Sequence, residues 1–209
     1  MQIANDETNW AQKYRPQRLE DMVLPPAIFK QLAKVRDQQL GLHLLLHGTA
    51  GTGKTTAAGL INKQGNYYLN CSLDSSVYVI DKIEKTCSAG IIGDGLRIVI
   101  LDEAEQLTAK AQGALRGLIE QLSASNQFVF TVNDKSKLID PLHSRLHAIN
   151  FSHLKGDVNL MQEMVNRVML ILEAENALMD RSIVETVVRE SYPDMRRVLT
   201  RLQAELLLN

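Results

Sequence analysis

Gly48-Thr49-Ala50-Gly51-Thr52-Gly53-Lys54-Thr55 is the stretch from which the rest of this 209-residue chain can be read. It keeps the pattern G-x-x-x-x-G-K-[ST] at every fixed position. Before it, Gly41 precedes a short apolar run, Leu42 to Leu46, whose length predicts a buried strand. After it, a helix is expected from near Gly53 to about Lys63. Glycines at these positions let the backbone turn its N–H groups inward onto phosphate oxygens, and a helix N-terminus adds its positive end. Lys54 is expected to reach the β- and γ-phosphates of ATP, and Thr55 to offer its hydroxyl to Mg²⁺. The expected ATP contacts are therefore Gly48, Thr49, Ala50, Gly51, Thr52, Gly53, Lys54, Thr55 and the following Thr56.

Four further runs predict strands: Asn66 to Cys71, Ile98 to Leu101, Phe128 to Val132 and His147 to Phe151. Between them, Val77 to Ser88 carries Val77, Ile80 and Ile83 at helical spacing. Ala109 to Leu122 puts Leu115, Leu118, Ile119 and Leu122 on one face, with Thr108 placed to cap its start. Strands alternating with helices predict an α/β fold, a parallel sheet with helices on both faces. The run Ile98 to Leu101 leads straight into Asp102-Glu103. Carboxylates at the tip of a buried parallel strand lie on the ligand-binding edge of such a sheet. Asp102 can hold Mg²⁺ through its water shell, and Glu103 is placed to orient and deprotonate a water that attacks the γ-phosphate. An adjacent Asp-Glu also serves as a plain charge pair at a helix start.

Beyond Phe151 the strand signal stops. Leu154, Val158, Met161, Val165, Val168 and Leu172 fall at helical spacings. Ile183, Val187 and Val188 mark a second helix, and Met195, Leu199, Leu202 and Leu206 a third. The expected organisation is an α/β domain over residues 1–153 and a small all-helical domain over 154–209. Hydrophobic residues make up 45% and charged residues 22%, an ordinary globular balance. The formal net charge of −1 sets up no global basic field, so any nucleic-acid contact must come from a local patch. Cys71 and Cys87 lack metal-site spacing and read as small buried residues in a reduced cytoplasmic setting. No apolar run is long enough to cross a bilayer.

Leu101-Asp-Glu-Ala-Glu-Gln-Leu-Thr, followed by Ala111-Gln-Gly-Ala-Leu-Arg, resembles the AAA+ clamp-loader ATPases. That family includes the small subunits of replication factor C and the large loader subunit of T-even-type bacteriophages. Lys13-Tyr14-Arg15-Pro16 is similar to its N-terminal K-Y-R-P motif, Ser144-Arg145-Leu146 to its S-R-C motif, and Pro193-Asp194-Met195-Arg196 to its sensor-2 helix. Asn133 stands where the family has its sensor-1 residue. The wording of Ser191-Tyr192-Pro193-Asp194 and Val23-Leu24-Pro25 is closest to the phage branch, and the cysteine of S-R-C is replaced by Leu146.

The resemblance implies sheet order 5-1-4-3-2 and a helical lid after the sheet. It implies a third, collar domain that these 209 residues are expected to lack. It places Tyr14 and Arg15 at the nucleotide and makes Lys54, Glu103 and Asn133 catalytic. Arg196 would reach the phosphates from the lid. Arg145 would act as an arginine finger in a neighbouring subunit's site. Gln112 and Arg116, four apart on one helix, would couple DNA to Glu103, with Thr108, Lys110, Lys82 and Lys85 as further DNA contacts; an ordinary solvated helix face is an equal reading of these. The implied partners are a sliding clamp, primer–template DNA and other loader subunits, in the cytoplasm or, for a phage protein, that of the host. The alternatives are another AAA+ replication or repair ATPase, such as a helicase loader or branch-migration motor, and an ATP-gated DNA-binding scaffold with little turnover.

Overall fold

A computed structural model describes residues 9–38, 40–61, 66–88, 96–154 and 156–208. The described residues fall into two compact units. One comprises Pro26–Thr49 and Lys54–Ser152 and is built on a sheet; the other comprises Met1–Pro25, Ala50–Gly53 and His153–Asn209 and is helical. The described residues before Pro26 group with the helices.

In the sheet unit, strands β1 (Leu44–His47), β2 (Asn66–Asn70), β3 (Arg97–Asp102), β4 (Asn126–Val132) and β5 (His147–Asn150) pair in the order β2-β3-β4-β1-β5. Every pairing is parallel. This is the expected 5-1-4-3-2 order read from the other edge. Because side chains alternate along a strand, the register sorts them onto two faces. Leu45, Val99, Leu101, Phe128, Phe130 and Val132 share one face and pack with helices of this unit in a single apolar cluster. Leu44, Leu46, Ile98, Ile100 and Val129 share the other and are equally buried. A sheet covered on both sides needs continuous rather than alternating apolar runs, which is how these strands read.

The helices of this unit are α2 (Pro26–Asp37), α3 (Lys54–Leu60), α4 (Tyr78–Ser88), α5 (Ala109–Leu122) and α6 (Asp140–His143). Helix α3 starts at Lys54, and its expected end at Lys63 lies outside the described residues. Helix α2 is an addition to the expected elements, and its Ile28, Leu32 and Val35 form a buried stripe at helical spacing. Thr108 caps α5, its hydroxyl accepting the Ala111 N–H at 3.2 Å. All strands point the same way, so His47, Asn70, Asp102 and Val132 end at one edge, where the functional side chains gather.

The helical unit contains α1 (Trp10–Lys13), α7 (Val158–Ala174), α8 (Arg181–Ser191) and α9 (Met195–Leu208). Its core joins Trp10 to Val165, Val168, Leu172, Val184, Val188, Val198 and Leu202. Trp10 is 6% exposed, and its backbone N–H donates to the Gln203 side chain at 3.1 Å. Trp10 anchors the N-terminal segment by burial among these helices.

Candidate nucleotide site

The loop between β1 and α3 turns through positive φ at Gly48, Gly51 and Gly53, at 144°, 77° and 87°. Gly48 is required by its neighbours, since a Cβ there would lie 2.7 Å from the Ser152 backbone nitrogen. In the helical unit, a Cβ on Gly51 would lie 2.0 Å from the Asp194 carboxyl carbon. Asp194 also accepts the Arg197 N–H at 3.0 Å, holding the first turn of α9 on which Arg196 stands exposed.

Lys54 is 7% exposed and uses all three of its donors. They go to the carbonyls of Gly48 at 2.7 Å and Thr49 at 2.8 Å, and to Asn133 Oδ1 at 3.0 Å. Burial pulls its pKa below the usual lysine value, and the carboxylates of Glu105, Asp102 and Glu103 oppose that shift. The ammonium is thus held at the mouth of the loop by three oxygens that phosphate oxygens can replace. One residue on, the Thr55 hydroxyl donates to Asp102 Oδ1 at 2.7 Å. Asp102 closes β3 and is buried. Its Oδ1 also accepts from the Thr131 hydroxyl, and its Oδ2 accepts from the Tyr68 hydroxyl at 2.7 Å.

Glu103 follows in left-handed backbone, φ 55° and ψ 42°. A non-glycine residue in that region is uncommon and gathers at functional sites. Its N–H donates to Thr131 Oγ1 at 3.2 Å, so one threonine ties the backbone of Glu103 to the carboxylate of Asp102. Asn133 stands just past the end of β4, and its N–H donates to Glu105 Oε1 at 2.8 Å. Two hydrogen-bonded groups result: Lys54 with Asn133 and Glu105, and Thr55 with Asp102, Thr131 and Tyr68. Three members were missed from sequence: Tyr68, Glu105 and Thr131. A threonine inside the apolar run Phe128–Val132 was a legible signal; Glu105 and Tyr68 carried none.

The donors beside Asp102 and Thr55 are all oxygens, the chemistry that Mg²⁺ prefers. Burial, reinforced by Asp102 and neighbouring carboxylates, pushes the Cys71 thiol up to about 12, so no thiolate competes there. No cluster of three or more His, Cys, Asp or Glu side chains suited to a metal occurs among the described residues. The residues present therefore fit an ion held jointly with a phosphate rather than by the protein alone.

The remaining expected site residues lie as follows. Tyr14 is half-buried in the helical unit; its hydroxyl donates to Glu175, which also pairs with Lys13 at 2.7 Å, while Arg15 is exposed. Arg145 donates to Glu120 through Nε at 2.8 Å and to the Pro141 carbonyl at 2.7 Å, beside a shallow depression lined by His43, Ile119 and Ser123. Of the expected DNA contacts, Lys110 and Arg116 are exposed on α5, Lys85 is exposed on α4, and Lys82 is paired with Asp74 at 3.1 Å. Gln112, expected to couple DNA to Glu103 together with Arg116, is 2% exposed, and its amide is hydrogen-bonded to backbone groups at 2.9–3.2 Å.

Residues 44–154 match the AAA family, described as the ATPase family associated with various cellular activities. The chain is 36% identical to the replication factor C small subunits of Saccharolobus solfataricus and Halobacterium salinarum, over 95% and 93% of its length. It is 32% identical to that of Methanothermobacter thermautotrophicus, over 93%. The chain spans 62% of the length of each. These relatives are archaeal, and the phage affinity suggested by sequence wording is not shown by them. The Thermotoga maritima RuvB Holliday junction branch migration motor superposes with a TM-score of 0.71 over 91% of this chain and 64% of that one. At 20% identity this is a likeness of fold. The phosphate loop, the acidic strand end, the sheet order and the matched span agree: the chain belongs to the AAA family of ATPases.

Proposed function

We propose that this chain is an ATP-hydrolysing motor subunit of a sliding-clamp loader, working with Mg²⁺, a sliding clamp, primer–template DNA and further loader subunits. The observation that carries the ATPase part is the placing of two hydrogen-bonded pairs, Lys54 with Asn133 and Thr55 with Asp102, on consecutive residues that follow a loop shaped for phosphates. The loader part is supported by kinship to replication factor C small subunits and by the K-Y-R-P, S-R-L and sensor-2 wording. The wording around Ser191 and Val23 supports placing it in the phage branch, and with that in the host cytoplasm.

In this reading the loop N–H groups bind the phosphates and Lys54 turns from its carbonyl partners to the β- and γ-phosphates. Release of Lys54 leaves Asn133 Oδ1 to accept a hydrogen bond from the attacking water. Glu103 accepts that water's proton as the oxygen attacks the γ-phosphorus and the bond from that phosphorus to the β–γ bridging oxygen breaks, releasing ADP and phosphate. Thr55 and Asp102 would hold Mg²⁺, which when bound neutralises phosphate charge. Tyr14, Arg15 and Arg196 are assigned to nucleotide contact by resemblance. Arg145 is assigned to a neighbour's site, where it would stabilise transition-state charge after leaving Glu120. Arg116, Thr108, Lys110, Lys82 and Lys85 remain proposed DNA contacts. Gln112 and Arg116 would couple bound DNA to Glu103, Gln112 as the buried side chain that fixes the start of α5.

The test is steady-state ATP hydrolysis by the chain with and without primed DNA, a candidate clamp and partner loader subunits. Stimulation that needs clamp and primed DNA together is expected. Stimulation by DNA that ignores every clamp would overturn the loader reading and favour another DNA motor. No hydrolysis in any combination would overturn the ATPase reading.

A further inference from the structure

The backbone of β4 leaves the sheet ladder at Val132, whose carbonyl accepts the Gly48 N–H at 3.2 Å. The next N–H, that of Asn133, donates to a side chain, Glu105 Oε1, at 2.8 Å. Glu105 reaches it because the chain turns left-handed at Glu103 and enters a short 3₁₀ turn, Ala104–Gln106. The turn directs Glu105 back beneath the strand ends, where it is 9% exposed. Its second oxygen, Oε2, is buried with no hydrogen-bond partner among the described residues. A buried carboxylate with an unsatisfied oxygen is costly, and such costs concentrate where a site needs a group held in place.

We propose that Glu105 is a positioning residue for ATP hydrolysis: by anchoring the Asn133 peptide N–H, it aims the Asn133 side chain at the γ-phosphate and the attacking water. The inference rests on the ATPase reading above. Asn133 is exposed and lies beyond the last ladder bond, so Glu105 holds its backbone where Lys54 meets its side chain. Its Oδ1 meets Lys54 at 3.0 Å, which places the amide at the loop before nucleotide arrives. The unsatisfied Oε2 contributes negative charge near Lys54, alongside Asp102 and Glu103. Glutamine at 105 would retain an acceptor for the N–H and remove the charge; alanine would remove both.

The test compares Glu105→Ala and Glu105→Gln with the parent in two measurements: single-turnover hydrolysis of ATP with protein in excess, and affinity for a fluorescent ATP analogue. Glu105→Ala is expected to slow hydrolysis at least tenfold with affinity changed less than threefold, and Glu105→Gln to stay within about threefold of the parent in both. A structural role alone would move melting temperature without that split. Hydrolysis by Glu105→Ala at the parent rate overturns the proposal, as does a Glu105→Gln variant as slow as alanine. Hydrogen exchange of the Asn133 amide in the parent needs no variant: protection of tenfold or more is expected, and an unprotected amide overturns the anchor. Glu103→Gln run in parallel separates the two readings. Parent-rate hydrolysis there refutes the assignment of Glu103, whereas a dead Glu103→Gln beside a normal Glu105→Ala refutes only the role of Glu105.

Discussion

Replacing Gln112 by leucine removes three hydrogen bonds while conserving bulk. Its Nε2 donates to the carbonyls of Leu107 at 3.0 Å and Lys137 at 3.2 Å, and its Oε1 accepts the Ile139 N–H at 2.9 Å. One side chain thus ties the start of α5 to the turn that leads into α6 and Arg145. Each such bond contributes a net ~0.5–1.5 kcal/mol, and a buried polar group left unpaired costs ~1–3 kcal/mol. The groups at Lys137 and Ile139 are part-buried and water can serve them in the variant, so the lower figures apply there. Leucine also avoids burying an amide. The expected loss is about 2–4 kcal/mol, a large share of the ~5–15 kcal/mol of a typical domain. At ~2–4 °C per kcal/mol for a chain of this size, the melting temperature falls on the order of 10 °C.

Urea unfolding followed by far-UV circular dichroism measures this. Trp10, the single tryptophan, reports instead on the helical core, where Gln112 has no part. Gln112→Glu sharpens the test, because it turns a donor facing two carbonyls into an acceptor. It should be less stable than the leucine variant at pH 7. Burial would raise that carboxyl's pKa, so the penalty is full above the raised value and disappears as pH falls below the unfolded one, near 4.3. A leucine variant within about 0.5 kcal/mol of the parent would show that these bonds do not hold the turn.

Glu103→Gln should bind ATP within threefold of the parent and lose about 10²–10⁴-fold in hydrolysis, the span of general-base effects; phosphate release at the parent rate would refute the base assignment. Cys71, 0% exposed with its thiol held near 12, and buried Cys87, also held above the usual thiol value by burial, should resist iodoacetamide at pH 8 until the protein unfolds. Mass spectrometry of native protein showing rapid double alkylation would contradict that burial. The Lys13 ammonium, then the Tyr14 hydroxyl, hold the Glu175 carboxyl below the usual range. Their contribution is present above the ordinary glutamate value, near 4.3, and is lost as pH falls through the lower folded value. Melts followed by Trp10 fluorescence should therefore lose stability on acidification more steeply in the parent than in Glu175→Gln; parallel curves would remove Glu175 from the account.

The sheet was legible because doubly covered strands must be continuous apolar runs, and Leu44–Leu46, Ile98–Leu101 and Phe128–Val132 are such runs. The phosphate loop was legible because its chemistry needs contiguous residues, and covalent geometry makes spacing in the chain equal to spacing in the site. Helix α2 was equally readable in its Ile28, Leu32 and Val35 stripe. What lay beyond the linear sequence were contacts between strand ends distant along the chain. Thr131 meets Asp102 because the pleat and register of β3 and β4 put both on one face. Glu105 meets Asn133, 28 residues on, only after the left-handed turn at Glu103. Gln112 reads as one more polar residue on a helix, and its burial depends on where α6 begins. The N-terminal segment reads as a prelude to the sheet, yet Trp10 buries against α7, α8 and α9. Spacing along the chain determined the phosphate loop and the fold class; tertiary structure decided which side chains hold that loop's partners in place, because only the assembled sheet brings them within hydrogen-bond reach.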